Sequence, residues 1–234
     1  MIKYILWDID NTLLSFEMAE KSAMAKGFEK FGLSIEDEDA LVRYRNINDK
    51  YWEMLENKEM TRSEILTGRF GEFFDLYNLT YDDKLLNDFN IYYQTELGNT
   101  IFYNDHAEEV IDTLGKDYKQ YAITNGSKIA QIGKLKNSGL DKILDGIFIS
   151  EDVGYDKPDP KFFDRVFDDI GSRNVSEYIV IGDSLTSDMR GANNVGITNI
   201  WYNPENDTNN LDIKVSYEIK DLAEIPAILE GIND

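Results

Sequence analysis

Two aspartates, Asp8 and Asp10, stand one residue apart in the segment LWDIDNTLLS, directly after the apolar run Ile2–Trp7. If this run is a β-strand that continues through both aspartates, the spacing places the two carboxylates on the same face. Carboxylates placed in this way serve as nucleophiles, as proton donors and acceptors, or as metal ligands. An aspartate after a strand is also an ordinary turn residue, so the pair needs partners elsewhere in the chain.

Further polar residues follow the other apolar runs, at the places where strands are expected to end. In an open parallel sheet ligands bind outside the carboxyl ends of the strands, so these residues should meet at one edge. Each of them alone has an ordinary explanation as a turn former or a solvated side chain. Together they form a candidate site: Thr124, Asn125 and Gly126 after Tyr118–Ile123, Asp183 and Asp188 after Tyr178–Ile181, and Lys157 just before a helix.

The aspartates predict a magnesium site. Three carboxylates at one sheet edge repel each other unless a cation lies between them, and a ligand set of oxygen atoms alone favours Mg²⁺. A calcium-binding EF-hand loop is excluded, because the run DIDNTLLSFEMA lacks the turn glycine and the terminal glutamate. The chain has no cysteine and one histidine, His106, which we expect on the surface, so thiolate metal sites and Ser-His triads are not expected.

The elements that must position these residues alternate between strands and helices, which is typical of a parallel sheet flanked by helices. We therefore predict an α/β fold with a Rossmann-like parallel sheet and helices on both faces. One helix should begin at Pro160 and end before Gly171, and another should end at Gly139. The predicted strands are Ile2–Trp7, Tyr118–Ile123, Gly146–Ile149, Tyr178–Ile181 and Thr198–Tyr202.

Between about residues 15 and 96 the strand pattern is absent and helical patterns replace it. We predict an α/β core formed by residues 1–14 and 97–234, and an inserted all-helical cap formed by residues 15–96. The two crossings between these parts, near Ser15 and near Glu96–Asn99, are predicted hinges.

The cap has an aromatic stripe and several polar side chains. The stripe on one helix should pack a hydrophobic core within the cap rather than stack on a ligand; it consists of Phe70, Phe73, Phe74 and Tyr77. The polar side chains are expected to be solvated at the surface; they are Arg43, Arg45, Asn48, Lys50 and Arg62.

Charge and composition limit the partners. The 234 residues carry a net charge of −21, which repels nucleic-acid polymers, while a small phosphorylated metabolite can bind if a divalent cation neutralises the field locally. The absence of cysteine fits a reducing compartment. The apolar start is too short for a signal peptide and no run has membrane-spanning length, so we expect a cytoplasmic protein without a membrane partner.

Four segments, taken in order, resemble the motifs of the haloacid dehalogenase-like superfamily of aspartate-dependent phosphohydrolases. These segments are DIDNTL, TNG, the lysine before PDP, and GDSLTSD. Each is weak alone, but the ordered set at strand ends is specific, and the resemblance covers essentially the whole chain. The helical insertion after the first motif resembles the first (C1) type of cap in that superfamily.

The resemblance implies a role for each motif residue. Asp8 would attack phosphorus and form an aspartyl-phosphate, and Asp10 would protonate the leaving oxygen and then accept a proton from water. The phosphate oxygens would be bound by Thr124, Asn125, Gly126 and Lys157. The Mg²⁺ ligands would be Asp8, the Asp10 backbone carbonyl and Asp183, with Asp188 outside them orienting a water or Lys157.

Several functions are compatible with these motifs. The combination of WDIDNTLLSF, the cap length and the late IWYNPEN is most similar to phosphatases of pyrimidine and noncanonical nucleoside 5′-monophosphates. Sugar-phosphate phosphatases, phosphoglycolate phosphatases and a phosphomutase share the core motifs. A receiver-type signalling domain also combines aspartates, a threonine and a lysine, but it has about half this length and no helical insertion. We expect a monomer or homodimer.

Overall fold

The computed structural model describes residues 1–233, which contain one six-stranded, fully parallel sheet. The strand order is β3-β2-β1-β4-β5-β6, so β1 lies between β2 and β4. The five strands predicted from the sequence are all present, and the α/β prediction is confirmed. The strands are β1 (Tyr4–Trp7), β2 (Lys119–Thr124), β3 (Gly146–Ile149), β4 (Tyr178–Gly182), β5 (Thr198–Tyr202) and β6 (Tyr217–Ile219).

The register of the central strands explains how distant residues meet. Trp7 at the end of β1 pairs with Ala122 in β2 and with Ile181 in β4. Asp8 directly follows Trp7. Thr124 comes two residues after Ala122, and Asp183 comes two residues after Ile181. All three lie at the carboxyl edge of one parallel sheet, as the sequence predicts.

Helices cover both faces of the sheet. One face packs against a cluster that includes α5 and α11, and the other against a cluster that includes α9 and α10. Gly139 and Gly171 each follow a helix in the left-handed conformation, so both predicted helix ends are correct. The core helices are α5 (Ala107–Leu114), α6 (Lys128–Ser138), α7 (Leu140–Ile143), α8 (Ser150–Val153), α9 (Pro160–Ile170), α10 (Arg190–Val195) and α11 (Ile225–Asn233).

The segment between β1 and β2 contributes four long helices. Its aromatic stripe is buried in a hydrophobic cluster of its own, in which Phe70, Phe73 and Phe74 are fully buried, as predicted. Helix α4 continues through the predicted hinge Glu96–Asn99, and the proposed cap boundaries remain a prediction. The four helices are α1 (Phe16–Phe31), α2 (Ala40–Glu56), α3 (Arg62–Leu76) and α4 (Asp83–Asn99).

Two features lie at the periphery of the fold. Strand β6 was not expected from the sequence, because two of its three residues are exposed and it has no apolar run. His106 is exposed and its Nδ1 lies 2.7 Å from Oδ1 of Asp221, in agreement with the surface position expected for it. None of the described helices is both long enough and apolar enough to cross a membrane.

A glycine pair joins the inserted helices to the core. Helices α4 and α6 form the most extensive contact between helices, and a Cβ atom built on Gly133 would lie 2.8 Å from Cα of Gly98. A Cβ atom on Gly98 would likewise lie 3.0 Å from Cα of Gly133. The backbones of α4 and α6 therefore touch at a point where neither helix has room for a side chain.

We predict that Gly133→Ala destabilises the protein by roughly 1–3 kcal/mol, because the added methyl group forces two backbones apart. Gly231→Ala is the matched control, since that helical glycine faces open space. The control should instead stabilise by up to about 1 kcal/mol through helix propensity. Denaturant unfolding of both variants measures the difference, and equal effects would show that the close approach is not limiting.

Candidate active site

Three aspartates from two strand ends meet at the carboxyl edge of the sheet. Carboxylate oxygens of Asp8, Asp183 and Asp188 all lie within 4.8 Å of one another. They line a cavity of about 210 Å³ between the sheet edge and the inserted helices. The other residues singled out from the sequence line the same cavity: Asp10, Thr124, Asn125, Gly126 and Lys157.

Lys157 is the cation at the centre of this cluster. Its side chain is 1% exposed, and its Nζ donates to Asp8 Oδ1 at 2.7 Å, to Asp188 Oδ1 at 2.6 Å and to the carbonyl of Ile123 at 2.8 Å. Burial disfavours the charged ammonium, but the ion pairs with Asp188 and Asp8 outweigh burial and raise its pKa. All three protons of the ammonium therefore have acceptors, and the lysine stays charged.

One lysine does not neutralise three carboxylates. Burial, followed by the charge of Asp188, raises the pKa of Asp8 to about 7 even though Lys157 acts in the opposite direction. Burial and the neighbouring charges of Asp8 and Asp188 also raise the pKa of Asp183 well above its usual value. Excess negative charge and an all-oxygen donor set are the properties of a site for a hard divalent cation, so these residues fit Mg²⁺.

The side chains around the aspartates fix their positions. Thr12, which the sequence reasoning missed, has its hydroxyl 3.4 Å from Asp8 Oδ2 and 3.3 Å from Asp183 Oδ1. Asp188 also accepts from the backbone N–H of Ser184 at 3.2 Å. Its carboxylate lies against Gly182, where a Cβ atom would be 2.3 Å from Asp188 Oδ2. Glycine is therefore required at the end of β4 to admit the aspartate.

The TNG segment holds the lysine loop in place. Asn125 Nδ2 donates to the carbonyl of Lys157 at 2.8 Å, and Asn125 Oδ1 accepts from the backbone N–H of Lys157 at 2.9 Å. Thr124 is buried, and its hydroxyl accepts from the N–H of Gly126 at 3.0 Å. The amide of Asn125 thus positions Lys157, an arrangement that the sequence did not indicate.

Two residues of helix α6 hold the carboxylate of Asp10. Gln131 Nε2 donates to Asp10 Oδ2 at 2.7 Å, and Nζ of Lys134 pairs with Asp10 Oδ1. Both partners are buried. Their i, i+3 spacing on one helix is the sequence signal that could have identified them, because a buried lysine beside a buried glutamine needs an acceptor.

The inserted helices complete the site. The expectation that Arg62 and Asn48 are solvated is wrong, because both are largely buried: Asn48 lines the cavity, and Arg62 reaches the core. Nη1 of Arg62 donates to the carbonyl of Asn125 at 2.6 Å, and Nη2 donates to Ser150 Oγ at 2.7 Å and pairs with Asp156. Arg62 therefore joins α3 to the two loops that carry the TNG segment and Lys157.

The fold and this site define a hydrolase of the parallel α/β type, with acidic side chains at the strand ends and a helical insertion above them. The haloacid dehalogenase-like hydrolase family matches residues 2–196. The chain belongs to this family, as the four motifs indicate.

Similar proteins agree with this assignment. The chain is 34% identical to the pyrimidine 5′-nucleotidase PynA of Streptococcus pneumoniae, over 93% of this chain and 90% of that protein. It is 26% identical to the pyrimidine 5′-nucleotidase YjjG of Escherichia coli, over 97% of each chain. A crystal structure of the HAD-hydrolase YfnB from Bacillus subtilis, bound to magnesium, superposes with a TM-score of 0.89 at 32% identity, covering 97% of this chain and 98% of that one.

The contribution of Glu56 on α2 to stability depends on pH, and this dependence tests whether α2 packs against the core. Burial raises the pKa of Glu56 to about 7, and a hydrogen bond from Thr186 only partly opposes this effect. The folded protein therefore binds this proton more tightly than the unfolded chain, so the contribution of Glu56 to stability is present below the ordinary pKa of 4.5 and is lost as pH rises through 7.

We predict that Glu56→Gln, which cannot ionise, gains melting temperature relative to the unmodified protein as pH rises. The measurement is the melting temperature of both proteins in metal-free buffer at pH values from 4.5 to above 7. A difference that does not change with pH would contradict the buried position of Glu56.

Proposed function

We propose that this protein is a Mg²⁺-dependent phosphomonoesterase that acts on nucleoside 5′-monophosphates through an aspartyl-phosphate. The observation that carries the proposal is the environment of Asp8. One of its oxygens is held by Lys157, the other lies beside Thr12, and the carboxylate faces a cavity that also contains Asp10. A carboxylate fixed in this way is a nucleophile aimed at a bound phosphate ester.

The reaction has two halves. An oxygen of Asp8 attacks phosphorus, the bond from phosphorus to the leaving oxygen breaks, and a proton from Asp10 passes to that oxygen. Water then attacks the phosphorus of the aspartyl-phosphate and gives a proton to Asp10, and the bond to Asp8 breaks to release phosphate. Gln131 and Lys134 each donate to one oxygen of Asp10, which fixes the carboxylate and leaves a second lone pair on each oxygen for the proton.

The remaining residues bind the phosphate and hold the cation. The Thr124 hydroxyl and the backbone N–H of Asn125 would bind the transferring phosphoryl group, with Gly126 beside them. Lys157, whose three protons already have acceptors, would add positive charge next to that group. The cation would be held by Asp8, Asp183 and the backbone carbonyl of Asp10. When bound, Mg²⁺ supplies positive charge that offsets the negative charge developing on the phosphoryl oxygens. Asp188 keeps Lys157 in place, since its carboxylate is 2.6 Å from the ammonium.

The substrate class is supported by similarity to relatives. PynA and YjjG, both named pyrimidine 5′-nucleotidases, match this chain over more than nine-tenths of its length. A sugar-phosphate phosphatase is the second candidate, because glyceraldehyde 3-phosphate phosphatases, such as that of Methanothermobacter thermautotrophicus at 25% identity, also match. Phosphate release from a panel of nucleotides, sugar phosphates and phosphoglycolate separates the two candidates.

Metal removal should abolish activity, and added Mg²⁺ should restore it, because the acidic cluster needs a cation. Asp183→Asn should weaken Mg²⁺ binding more than Asp188→Asn does. Asp188→Asn should mainly lower turnover, by roughly 10–100-fold, since it frees Lys157. Calorimetric and kinetic Mg²⁺ titrations of both variants measure this order. Full activity in metal-free buffer would refute the cation requirement, and the reverse order would reassign Asp188 as the metal ligand.

Substitutions of the two aspartates of the first motif should have different effects on phosphorylation and turnover. Asp8→Asn removes the nucleophile and should abolish both phosphorylation and turnover. Asp10→Asn keeps the nucleophile but loses proton transfer, so turnover should fall by roughly 10²–10⁴-fold. With p-nitrophenyl phosphate, whose leaving group needs little protonation, the Asp10→Asn variant should still be phosphorylated, and the intermediate should accumulate.

Rapid acid quench followed by peptide mass analysis locates that intermediate. We expect a phosphate adduct on the peptide that carries Asp8. An adduct on Thr124 or Ser184 instead, or near-normal turnover by Asp8→Asn, would overturn the mechanism.

A further inference from the structure

The catalytic cavity continues into a second cavity of about 390 Å³ between the inserted helices and the loop after β5. The two cavities share Asn48 and Asp49 on α2, as well as Asp183 at the sheet edge. The leaving group of a phosphate ester with its phosphorus at Asp8 would therefore lie next to the second cavity. The side chains of this second cavity decide which leaving groups fit.

Hydrogen-bond chemistry fixes the orientation of the Asn48 amide. Its Oδ1 accepts from Trp52 Nε1 at 3.1 Å and from Arg69 Nη1 at 2.6 Å. An indole N–H and a guanidinium can only donate, so the atom that they share must be the amide oxygen. The NH₂ group of Asn48 therefore lies on the side away from both, where it has one hydrogen bond, to the Asp49 carboxylate, and a second proton for a ligand in the cavities that Asn48 lines.

Arg69 is a buried arginine that contacts Asn48. It is 2% exposed, and among residues 1–233 its guanidinium pairs with no carboxylate, while its Nε and Nη2 have no hydrogen-bond partner. The guanidinium lies over the rings of Phe70 and Tyr93, 5.0 and 5.4 Å from their centroids, and it also interacts with the charge of Glu20, so these contacts offset part of the cost of its burial. Its one hydrogen bond goes to Asn48, so Arg69 also fixes the Asn48 amide.

The second cavity is strongly acidic. Six acidic side chains line it: Glu17, Glu20, Asp49, Asp183, Glu205 and Asp207. The one arginine among its lining residues, Arg45, is already paired with Glu17 and with Glu20, the latter at 2.6 Å. A leaving group that carries a carboxylate or a second phosphate would meet uncompensated negative charge here.

We propose that this cavity is the leaving-group subsite, that it selects a neutral leaving group, and that Asn48 donates a hydrogen bond to an oxygen of that group. The inference rests on the proposed phosphatase activity and narrows its substrates. The oxygen belongs either to a carbonyl of a pyrimidine base or to a hydroxyl of the sugar. Phosphoglycolate and bisphosphates are excluded as good substrates by the charge of the subsite.

A matched pair of substrates tests the charge selection. Orotidine 5′-monophosphate differs from uridine 5′-monophosphate by one carboxylate on the base. We expect kcat/KM for the carboxylated nucleotide to be lower by at least about tenfold, because its charge enters the acidic cavity. Equal kcat/KM values for the two nucleotides would overturn the charge selection.

Asn48→Asp tests the donor. The substitution keeps an oxygen for Trp52 and Arg69 but replaces the NH₂ group with a second acceptor. Phenyl phosphate is the reference substrate, because its leaving group has no oxygen apart from the ester oxygen. We expect kcat/KM for uridine 5′-monophosphate, divided by kcat/KM for phenyl phosphate, to fall by roughly 10-fold or more. Asn57→Asp, at the exposed end of α2, adds the same charge and should leave the ratio unchanged.

The substrates also separate the possible outcomes. If Asn48→Asp lowers kcat/KM for ribose 5-phosphate as much as for uridine 5′-monophosphate, Asn48 contacts the sugar. If kcat/KM for ribose 5-phosphate does not change, Asn48 contacts the base. An unchanged ratio in an Asn48→Asp variant that retains its far-ultraviolet circular dichroism and melting temperature would refute the role of Asn48. Failure of the unmodified protein to hydrolyse any of these esters would instead refute the phosphatase proposal itself.

Discussion

The site depends on the ion pairs of one buried ammonium group. Lys157 lies below three strand ends at once, because its Nζ contacts the side chain of Asp8 after β1, the carbonyl of Ile123 in β2 and the side chain of Asp188 after β4. Removing either carboxylate would leave a buried charge without a partner, which is costly. The same contacts that hold the candidate nucleophile thus also fix the loops around it, so local stability and catalytic geometry are linked.

The inserted helices contribute to the core as well as covering it. Arg62 of α3 contacts the carbonyl of Asn125 and the side chain of Asp156, and Asn125 in turn holds the backbone of Lys157 on both sides. A chain of hydrogen bonds therefore runs from α3 to Lys157. Packing of α3 against the core and the position of the Asn125 and Lys157 loops are linked through these contacts.

The strands could be predicted from the sequence, because each is a run of consecutive apolar residues. Residues that become buried only when helices pack against the core could not be predicted. The five predicted strands are apolar runs, and Asp8, Thr124 and Asp183 meet because parallel strands end at one edge. Residues such as Asn48 and Arg62 could not be assigned, because their burial arises only when α2 and α3 lie against the core. Lys134 was missed for a different reason: its spacing from Gln131 is visible in the sequence, but its partner Asp10 is 124 positions earlier in the chain.

Within four residues, helix α6 contacts both the side chain of Asp10 and the backbone of α4. Gln131 and Lys134 hold the carboxylate of Asp10, and Gly133 between them touches the backbone of α4 without any intervening side chain. A flexible side chain at that contact would absorb small displacements, whereas two bare backbones transmit them. A displacement of α4 at this contact would therefore reach the two residues that hold Asp10 with no flexible side chain between the helices.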